Sequence, residues 1–310
     1  MDATLIASII GATLVAGTPL IIVALGELVT ERSGVLNLGA EGMMAMGALS
    51  AFIVNQATGS APLAVAAGLA AGVVMSLIFG YLTLTMLANQ VASGLALSIF
   101  GIGLSAFIGK AYESAAMTMV TPIRIPLLAD IPLLGPVLFN QQSLVYFSWA
   151  LVAAVAWFLY RSRAGLVLRA VGESPSSAHA VGYAVIPIRY LAVAFGGAMA
   201  GIGGAFLSVY YTPLWSQGMV AGRGWIALAL VVFATWRPIR VVLGAYLFGG
   251  VMISQLFVQG LGLKLEVPAQ FLSALPYVAT IVVLVLISRN AASVRLHSPV
   301  SLGLPFRADA

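Results

Sequence analysis

The chain has 310 residues, of which 61% are hydrophobic and only 7% are charged, and its formal net charge is +5. Soluble domains carry about 25% charged residues, so this composition excludes a water-soluble fold. The mean hydropathy of +1.08 indicates a membrane protein. In such a protein the basic excess is typical of residues kept at the cytoplasmic face, and it does not indicate nucleic-acid binding.

The apolar runs are long and continuous, without the two-residue alternation of a barrel strand. They predict an all-α, polytopic transmembrane helical bundle of about eight to ten spans, with possible broken helices, as a single domain over residues 1–310. The nine apolar segments are 5–28, 35–56, 61–87, 91–110, 143–160, 189–211, 223–236, 240–260 and 269–288. The fourth is rich in Gly and Ser and is a candidate for an interruption, while the seventh is short for a full crossing.

The first polar cluster, ERSGVLNLGAEGMMAMGALSAF, covers residues 31–52. Asn37 and Glu41 are four residues apart, so we expect them to share a helical face, with the amide donating to the carboxylate. A carboxylate in a membrane faces a cavity, a partner or the bundle interior. It either lines a translocation path or belongs to a structural hydrogen-bond knot with Glu27 or Arg32. The residues expected along a path are Asn37, Glu41, Met44 and Ser93.

Residues 111–142 form the longest segment expected on the outer surface. Four prolines, Pro122, Pro126, Pro132 and Pro136, interrupt it. Prolines break long helices, so the segment is predicted to be irregular or to contain short helices. It is either a passive cap over the bundle or a docking surface for an extracytoplasmic partner.

The most polar and basic stretch inside the chain is residues 161–188. Ser174 is a good N-cap, Pro175 suits the first helical position, and Gly182 suits the position just past a helix. The loop is therefore predicted to hold a short helix of about two turns, which must rest on something because it is too short to be stable alone. It either packs along its own bundle or docks into a groove of a cytoplasmic protein.

Placing this loop in the cytoplasm sets the orientation, with the N-terminus outside and the C-terminus inside. The basic residues then inside are Arg32, Arg161, Arg163, Arg169, Arg189, Arg237, Arg240, Arg289, Arg295 and Arg307. Those outside are Lys110, Arg124, Arg223 and Lys264. This bias agrees with the positive-inside rule.

The run FGGAMAGIGGAF, residues 195–206, has small residues four apart in two stripes. Small residues let helix backbones approach closely in lipid. The run therefore predicts tight packing, within the subunit rather than between subunits.

Two motifs, RAVGESPSSAHAVGY in the loop and SGVLNLGAEGMM near the N-terminus, carry a family resemblance. The chain resembles the membrane permease subunit of bacterial ABC importers, in the branch for branched-chain amino acids, simple sugars and nucleosides. Over residues 30–289 it is most similar to the nucleoside-type permeases. The resemblance implies a bacterial inner-membrane protein in which residues 170–183 are a coupling helix, seated in a groove of an ATP-binding subunit.

The coupling residues so implied are Arg169, Gly172, Glu173, Ser174, Pro175, Ser177, Ala178, His179 and Gly182. The implied partners are the ATPase, a second permease subunit that is a related hetero-partner, and an extracytoplasmic substrate-binding protein. A nucleoside is the first expectation for the cargo, and a simple sugar such as ribose is the alternative.

Several activities are not expected of this chain. Its only lysines are Lys110 and Lys264, so it has no G-x-x-x-x-G-K-[ST] loop and cannot bind ATP phosphates in that way. It has no cysteine, and its two histidines, His179 and His297, are far apart, so neither a metal, a cofactor nor an enzymatic site is expected. A secondary transporter driven by an ion gradient stays the main alternative, because broken glycine-rich helices also occur there.

Overall fold

The computed structural model describes residues 3–113, 115, 117, 120–132, 134–260, 274–275, 278, 281–282, 285 and 298–307. The α-helices are α1 Ala3–Arg32, α2 Ala40–Thr58, α3 Ala61–Gly80, α4 Gln90–Gly109, α5 Leu134–Leu138, α6 Ser143–Arg161, α7 Arg163–Glu173, α8 Pro175–Ala180, α9 Val185–Ala205, α10 Arg223–Phe233 and α11 Pro238–Gly260. A π-helical turn extends α3 over Tyr81–Thr85 and another extends α9 over Phe206–Tyr211, while a 3₁₀ turn, Lys110–Tyr112, follows α4.

Eight of the nine apolar segments coincide with helices, which confirms the helical bundle. The ninth, 269–288, falls mostly outside the described residues, as do Lys264, Arg289, Arg295 and His297. The prediction that the fourth segment is interrupted was wrong, because α4 is one continuous helix. The seventh segment is a short helix of 11 residues, α10, as its length suggested.

Five helices in the described part of the chain are long and apolar enough to cross a membrane. They are Leu5–Arg32, Ala61–Thr85, Gln90–Tyr112, Ser143–Arg161 and Val185–Tyr211. Two shorter apolar helices, Arg223–Phe233 and Pro238–Ser254, accompany them. The fold is thus that of a multi-pass helical membrane protein.

The glycine-rich part of α9 packs inside the subunit, as predicted. A Cβ atom built on Gly72 of α3 would lie 2.0 Å from the carbonyl oxygen of Gly197, and one built on Gly201 would lie 2.1 Å from that of Gly68. One built on Gly204 would lie 2.0 Å from the carbonyl oxygen of Met44 in α2. Only glycine allows these approaches, so α9 is fixed against α2 and α3 by backbone contact.

Residues 111–142 form short elements, as expected, in the part that is described. Two strands, β1 Ile123–Arg124 and β2 Asn140–Gln141, pair antiparallel, with Ile123 opposite Gln141. The short helix α5 precedes β2. Arg124 forms an ion pair with Asp130 beside this hairpin. The hairpin is a small addition to a fold that is otherwise helical.

Candidate functional site

The segment α7–α8 links two long helices through very short connections. Ser162 alone separates α6 from α7, and its hydroxyl accepts a hydrogen bond from the amide of Gly165 (2.9 Å). Ser174 alone separates α7 from α8 and accepts from the amide of Ser177 (3.3 Å). Both serines are N-caps, so each break between helices supplies the start of the next helix.

The end of α8 also has the geometry that its sequence predicted. Gly182 has φ +97°, the left-handed conformation that glycine adopts without strain. The Gly182 amide donates to the His179 carbonyl (2.8 Å), and the Tyr183 amide donates to the Ala178 carbonyl (3.0 Å). This pair of bonds is a Schellman motif, which satisfies the last carbonyls of the helix.

The helix differs from the prediction in extent. It has six residues, and Gly172 and Glu173 belong to the preceding helix α7. The approach from Arg163 to Glu173 was expected only as a basic stretch, yet it forms an amphipathic helix that buries Gly165, Leu168 and Val171. An 11-residue helix at the end of the bundle therefore carries α8.

Helix α8 lies largely open on its outer face. Ala178 is its buried residue, packed with Val171 and Val185, whereas Ser176, Ser177 and His179 are exposed. Val181, just past the helix, is 78% exposed. The helix thus touches the bundle through one small side chain and leaves most of its surface available.

Residues 298–307 form a strap across the base of α8, a contact that the sequence did not reveal. The amide and hydroxyl of Ser301 both donate to the Gly172 carbonyl, at 3.0 and 2.6 Å. The ring of Phe306 meets that of His179 edge to face, with 5.7 Å between centroids. A cavity of about 350 Å³ lies between α8 and residues 305–307. The strap therefore forms part of the surface around α8.

Arg189 joins this strap to the rest of the subunit. Only 1% of its surface is exposed. Its Nε donates to the Ser33 carbonyl (3.1 Å), Nη1 to the Leu304 carbonyl (3.2 Å) and Nη2 to the Ser301 hydroxyl (3.1 Å). One buried guanidinium therefore holds together the end of α1, the start of α9 and the strap.

Asn37 and Glu41 do not form the pair that their spacing suggested. Helix α2 begins at Ala40, so Asn37 lies before it and shares no helical face with Glu41. The side-chain Nδ2 of Asn37 donates to Glu27 Oε1 (3.1 Å), and its side-chain Oδ1 accepts from the backbone amide of Gly39 (2.9 Å). Because Glu27 lies five residues before the end of α1, residues 33–39 run back along that helix into the bundle.

The carboxylate of Glu41 caps a different helix. Its Oε1 accepts from the amide of Gly222 and its Oε2 from that of Gly224, both at 2.7 Å. These two residues flank the start of α10, and helix N-termini favour negative charge. Arg223, assigned to the outer side from the sequence, lies at this junction. Glu41 therefore fixes the N-terminal end of the short helix α10 within the bundle.

The other two residues expected along a path lie on α2 and α4. Met44 is fully buried, and its backbone packs against Gly204 of α9. Ser93 is half-buried in the first turn of α4. The four residues thus lie on the connection from α1 to α2, on α2 and on α4.

A buried carboxylate pair on α1 was missed in the sequence. The first apolar segment, 5–28, would place Glu27 at its end, but α1 continues to Arg32, and Glu27 and Glu31 are both buried one turn apart. Glu31 Oε2 accepts from Trp236 Nε1 (2.6 Å), and Arg32 Nη2 donates to the Trp236 carbonyl (3.1 Å). The four-residue spacing of two acids beside an apolar span was the available signal.

Comparison with known proteins relates most of the chain to transport proteins. Residues 9–287 match the family described as the permease component of branched-chain amino acid transport systems. A Haloferax volcanii protein with the provisional name of a glucose ABC transporter permease is 42% identical, over 96% of both chains.

Two bacterial relatives have nucleoside names. A guanosine ABC transporter permease protein of Bacillus subtilis is 36% identical over 92% of this chain and 93% of its own. A nucleoside ABC transporter permease protein of Lactococcus lactis is 35% identical over 90% and 91%.

Proposed function

This chain belongs to the permease family of branched-chain amino acid transport systems, and we propose that it forms the path of an ATP-driven importer and couples to a separate ATPase through α8. The observation that carries the coupling role is the geometry of α8. It is capped at both ends, open on its outer face, and joined to α7 by Ser174 alone and to α9 by residues 181–184. Such a helix suits docking into a groove of another protein.

A displacement of α8 can be transmitted to the bundle through a short connection. Residues 181–184 connect it to α9, and α9 contacts α2 and α3 through glycine backbones. Closely packed backbones resist sliding, so α9 moves together with its neighbours. Closure of a paired ATPase would shift α8 and tilt α9, and the central path would then open alternately to the two sides of the membrane.

Asn37 and Glu41 take a positioning role in this proposal. They hold residues 33–39 and the start of α10 inside the bundle. Other transporters also place interrupted helices there. Met44 and Ser93 remain predictions for the path itself. A neutral cargo does not require a charge at this position, which agrees with a carboxylate already bound to two backbone amides.

We propose a nucleoside as the cargo, with a simple sugar as the second candidate. The guanosine and nucleoside names of two relatives support the first, and the glucose name of a third supports the second. Uptake of radiolabelled guanosine, ribose and glucose into vesicles with the complete transporter would separate them. Uptake of glucose or ribose without guanosine uptake would overturn the nucleoside assignment.

Two permease subunits line one path, and we expect a related hetero-partner for this chain. The arginine-rich end, which carries α7 and α8, faces the cytoplasm, because basic residues are retained there. Residues 111–142 then face an extracytoplasmic binding protein.

A matched pair of substitutions tests the role of α8. Val181→Glu places a charge at a site that is 78% exposed, where it should not disturb the fold. If α8 is seated in the ATPase, ATP-dependent uptake should fall about tenfold or more, because a buried unpaired charge is costly. Ala57→Glu, at an exposed site near the end of α2 and outside both α8 and residues 111–142, should leave uptake unchanged. Wild-type uptake and ATP hydrolysis in Val181→Glu would contradict the proposal.

A further inference from the structure

A cavity of about 680 Å³ lies at the arginine-rich end, between the ends of α1 and α6, helix α7 and the start of α11. Four arginines, Arg32, Arg169, Arg237 and Arg240, line it, with a single carboxylate, Glu173. We call it the arginine pocket. One carboxylate cannot neutralise four guanidinium groups, so the lining of the pocket has an excess of positive charge.

Two of these arginines have hydrogen-bonding capacity left over. Arg32 is only 8% exposed, and its Nε has no hydrogen-bond partner among the described residues. The buried Nε of Arg169 is likewise without a partner in the described part of the chain. Glu173 forms no ion pair with Arg32, Arg169 or Arg240 there. Buried donors are normally satisfied, so these two indicate that an acceptor binds in the pocket.

The chemistry of the pocket favours a phosphate group. Guanidinium groups present several donors in a planar fork that matches phosphate oxygens, and several arginines together compensate more than one negative charge. The proposed cargo, a nucleoside or a sugar, is neutral and does not need such a site. The anion must therefore be something other than the cargo.

The surroundings of the pocket indicate where that phosphate comes from. Helix α1 has 30 residues and is about 45 Å long, close to the thickness of a bilayer with its headgroups. Arg32 is its last residue, so a helix α1 that spans the bilayer would place it at headgroup depth. Ile239 lines the pocket, and exposed apolar side chains continue from it at helical spacing along α11, at Leu243 and Leu247. On α6, Trp157 is exposed one turn before the pocket residue Tyr160. Tyr160, under the guanidinium of Arg169 at 5.6 Å, is typical of a membrane interface.

We propose that the arginine pocket binds the headgroup of an anionic phospholipid whose acyl chains lie against α6 and α11. Under the proposed orientation this is a lipid of the cytoplasmic leaflet, although the binding itself does not depend on that orientation. The lipid connects α7 to α1 and α11, because the pocket is built from all three. It restrains the helix that carries α8.

The test uses the purified full chain in detergent and measures its melting temperature. Short-chain phosphatidylglycerol should raise that temperature by about 3 °C, and the same concentration of phosphatidylcholine or inorganic phosphate should not. The shift should shrink when the salt concentration rises from about 0.1 M to about 1 M, since screening weakens the contact. An equal shift with phosphatidylcholine overturns the proposal, and so does an equal shift with phosphate alone.

Paired substitutions locate the site. Arg169→Gln with Arg240→Gln should weaken phosphatidylglycerol binding about tenfold or more. The control, Arg161→Gln with Arg163→Gln, removes the same charge from exposed sites outside the pocket and should keep the shift. If the control loses as much, binding is a general charge effect and the proposal is wrong. If the variant with Arg169→Gln and Arg240→Gln is unstable, the lipid comparison and the salt series on the unaltered chain still test whether the site exists.

This measurement needs neither ATPase nor transport. Its failure therefore leaves the importer proposal untouched, and failure of coupling leaves the lipid site untouched. If phosphatidylglycerol has no effect while the Arg169 and Arg240 pair of changes prevents copurification with an ATPase, the pocket is a protein contact. That result would also overturn the lipid proposal.

Discussion

The contact between α3 and α9 and the attachment of α8 represent two extremes of packing in one subunit. In the first, Gly72 and Gly197 bring backbone atoms together, so neither helix can slide without a clash. In the second, the buried residue Ala178, local caps and the contact of His179 with Phe306 of the strap hold a helix of six residues. The bundle centre can therefore transmit a displacement as a unit, while α8, held by few contacts, can receive one.

The largest effect is expected at the bundle centre. Gly72→Ala would place a methyl group 2.0 Å from the Gly197 carbonyl oxygen, and the two helices would have to move apart. We expect a loss of about 3 kcal/mol in the free energy of unfolding, at the upper end of the usual range for overpacking. The measurement is the melting temperature of the purified chain.

The matched control lies on α4. Gly103 has no atom within 4 Å of an added Cβ, so Gly103→Ala should be neutral or stabilise by about 0.5 kcal/mol through helix propensity. Similar melting temperatures for the two variants would show that the centre is softer than the backbone contacts indicate.

A second prediction asks whether α10 belongs to the fixed part. Glu41→Ala leaves the part-buried amide of Gly222 and the buried amide of Gly224 without this acceptor, which should cost about 2 kcal/mol. Glu41→Gln keeps one carbonyl oxygen and should lose about half as much. Thermal melting together with limited proteolysis near residue 222 would measure both. A Glu41→Ala variant that loses uptake but keeps its melting temperature would instead support a direct role in the path.

The sequence predicted α8 well because its determinants are local. Ser174, Pro175 and Gly182 act on the residues next to them, so the caps follow from spacing alone. The packing of the glycine run was predictable for a similar reason, since small residues four apart form a stripe on any helix.

The partners of the buried charges could not be predicted from spacing. Glu41 binds amides 181 and 183 residues away, and Arg189 binds a strap more than 100 residues further along the chain. Nothing in a single sequence records such pairs. The misplacement of Asn37 has a more specific cause, because Gly34 has φ +89° and delays the start of α2 to Ala40. Glycines at 34 and 39 were the signal for that break.

The smallest expected effect tests the independence of α8. Ser174→Ala removes the cap of α8, a change that typically costs about 1 kcal/mol. Because so little of α8 is buried, this loss should appear as faster hydrogen exchange at residues 177–183, with little change in global melting. Uptake should fall more than stability does, since the ATPase would meet a partly unfolded helix. A drop in melting temperature as large as that of Gly72→Ala would mean that α8 unfolds together with the bundle, and a helix so coupled could not receive a displacement independently.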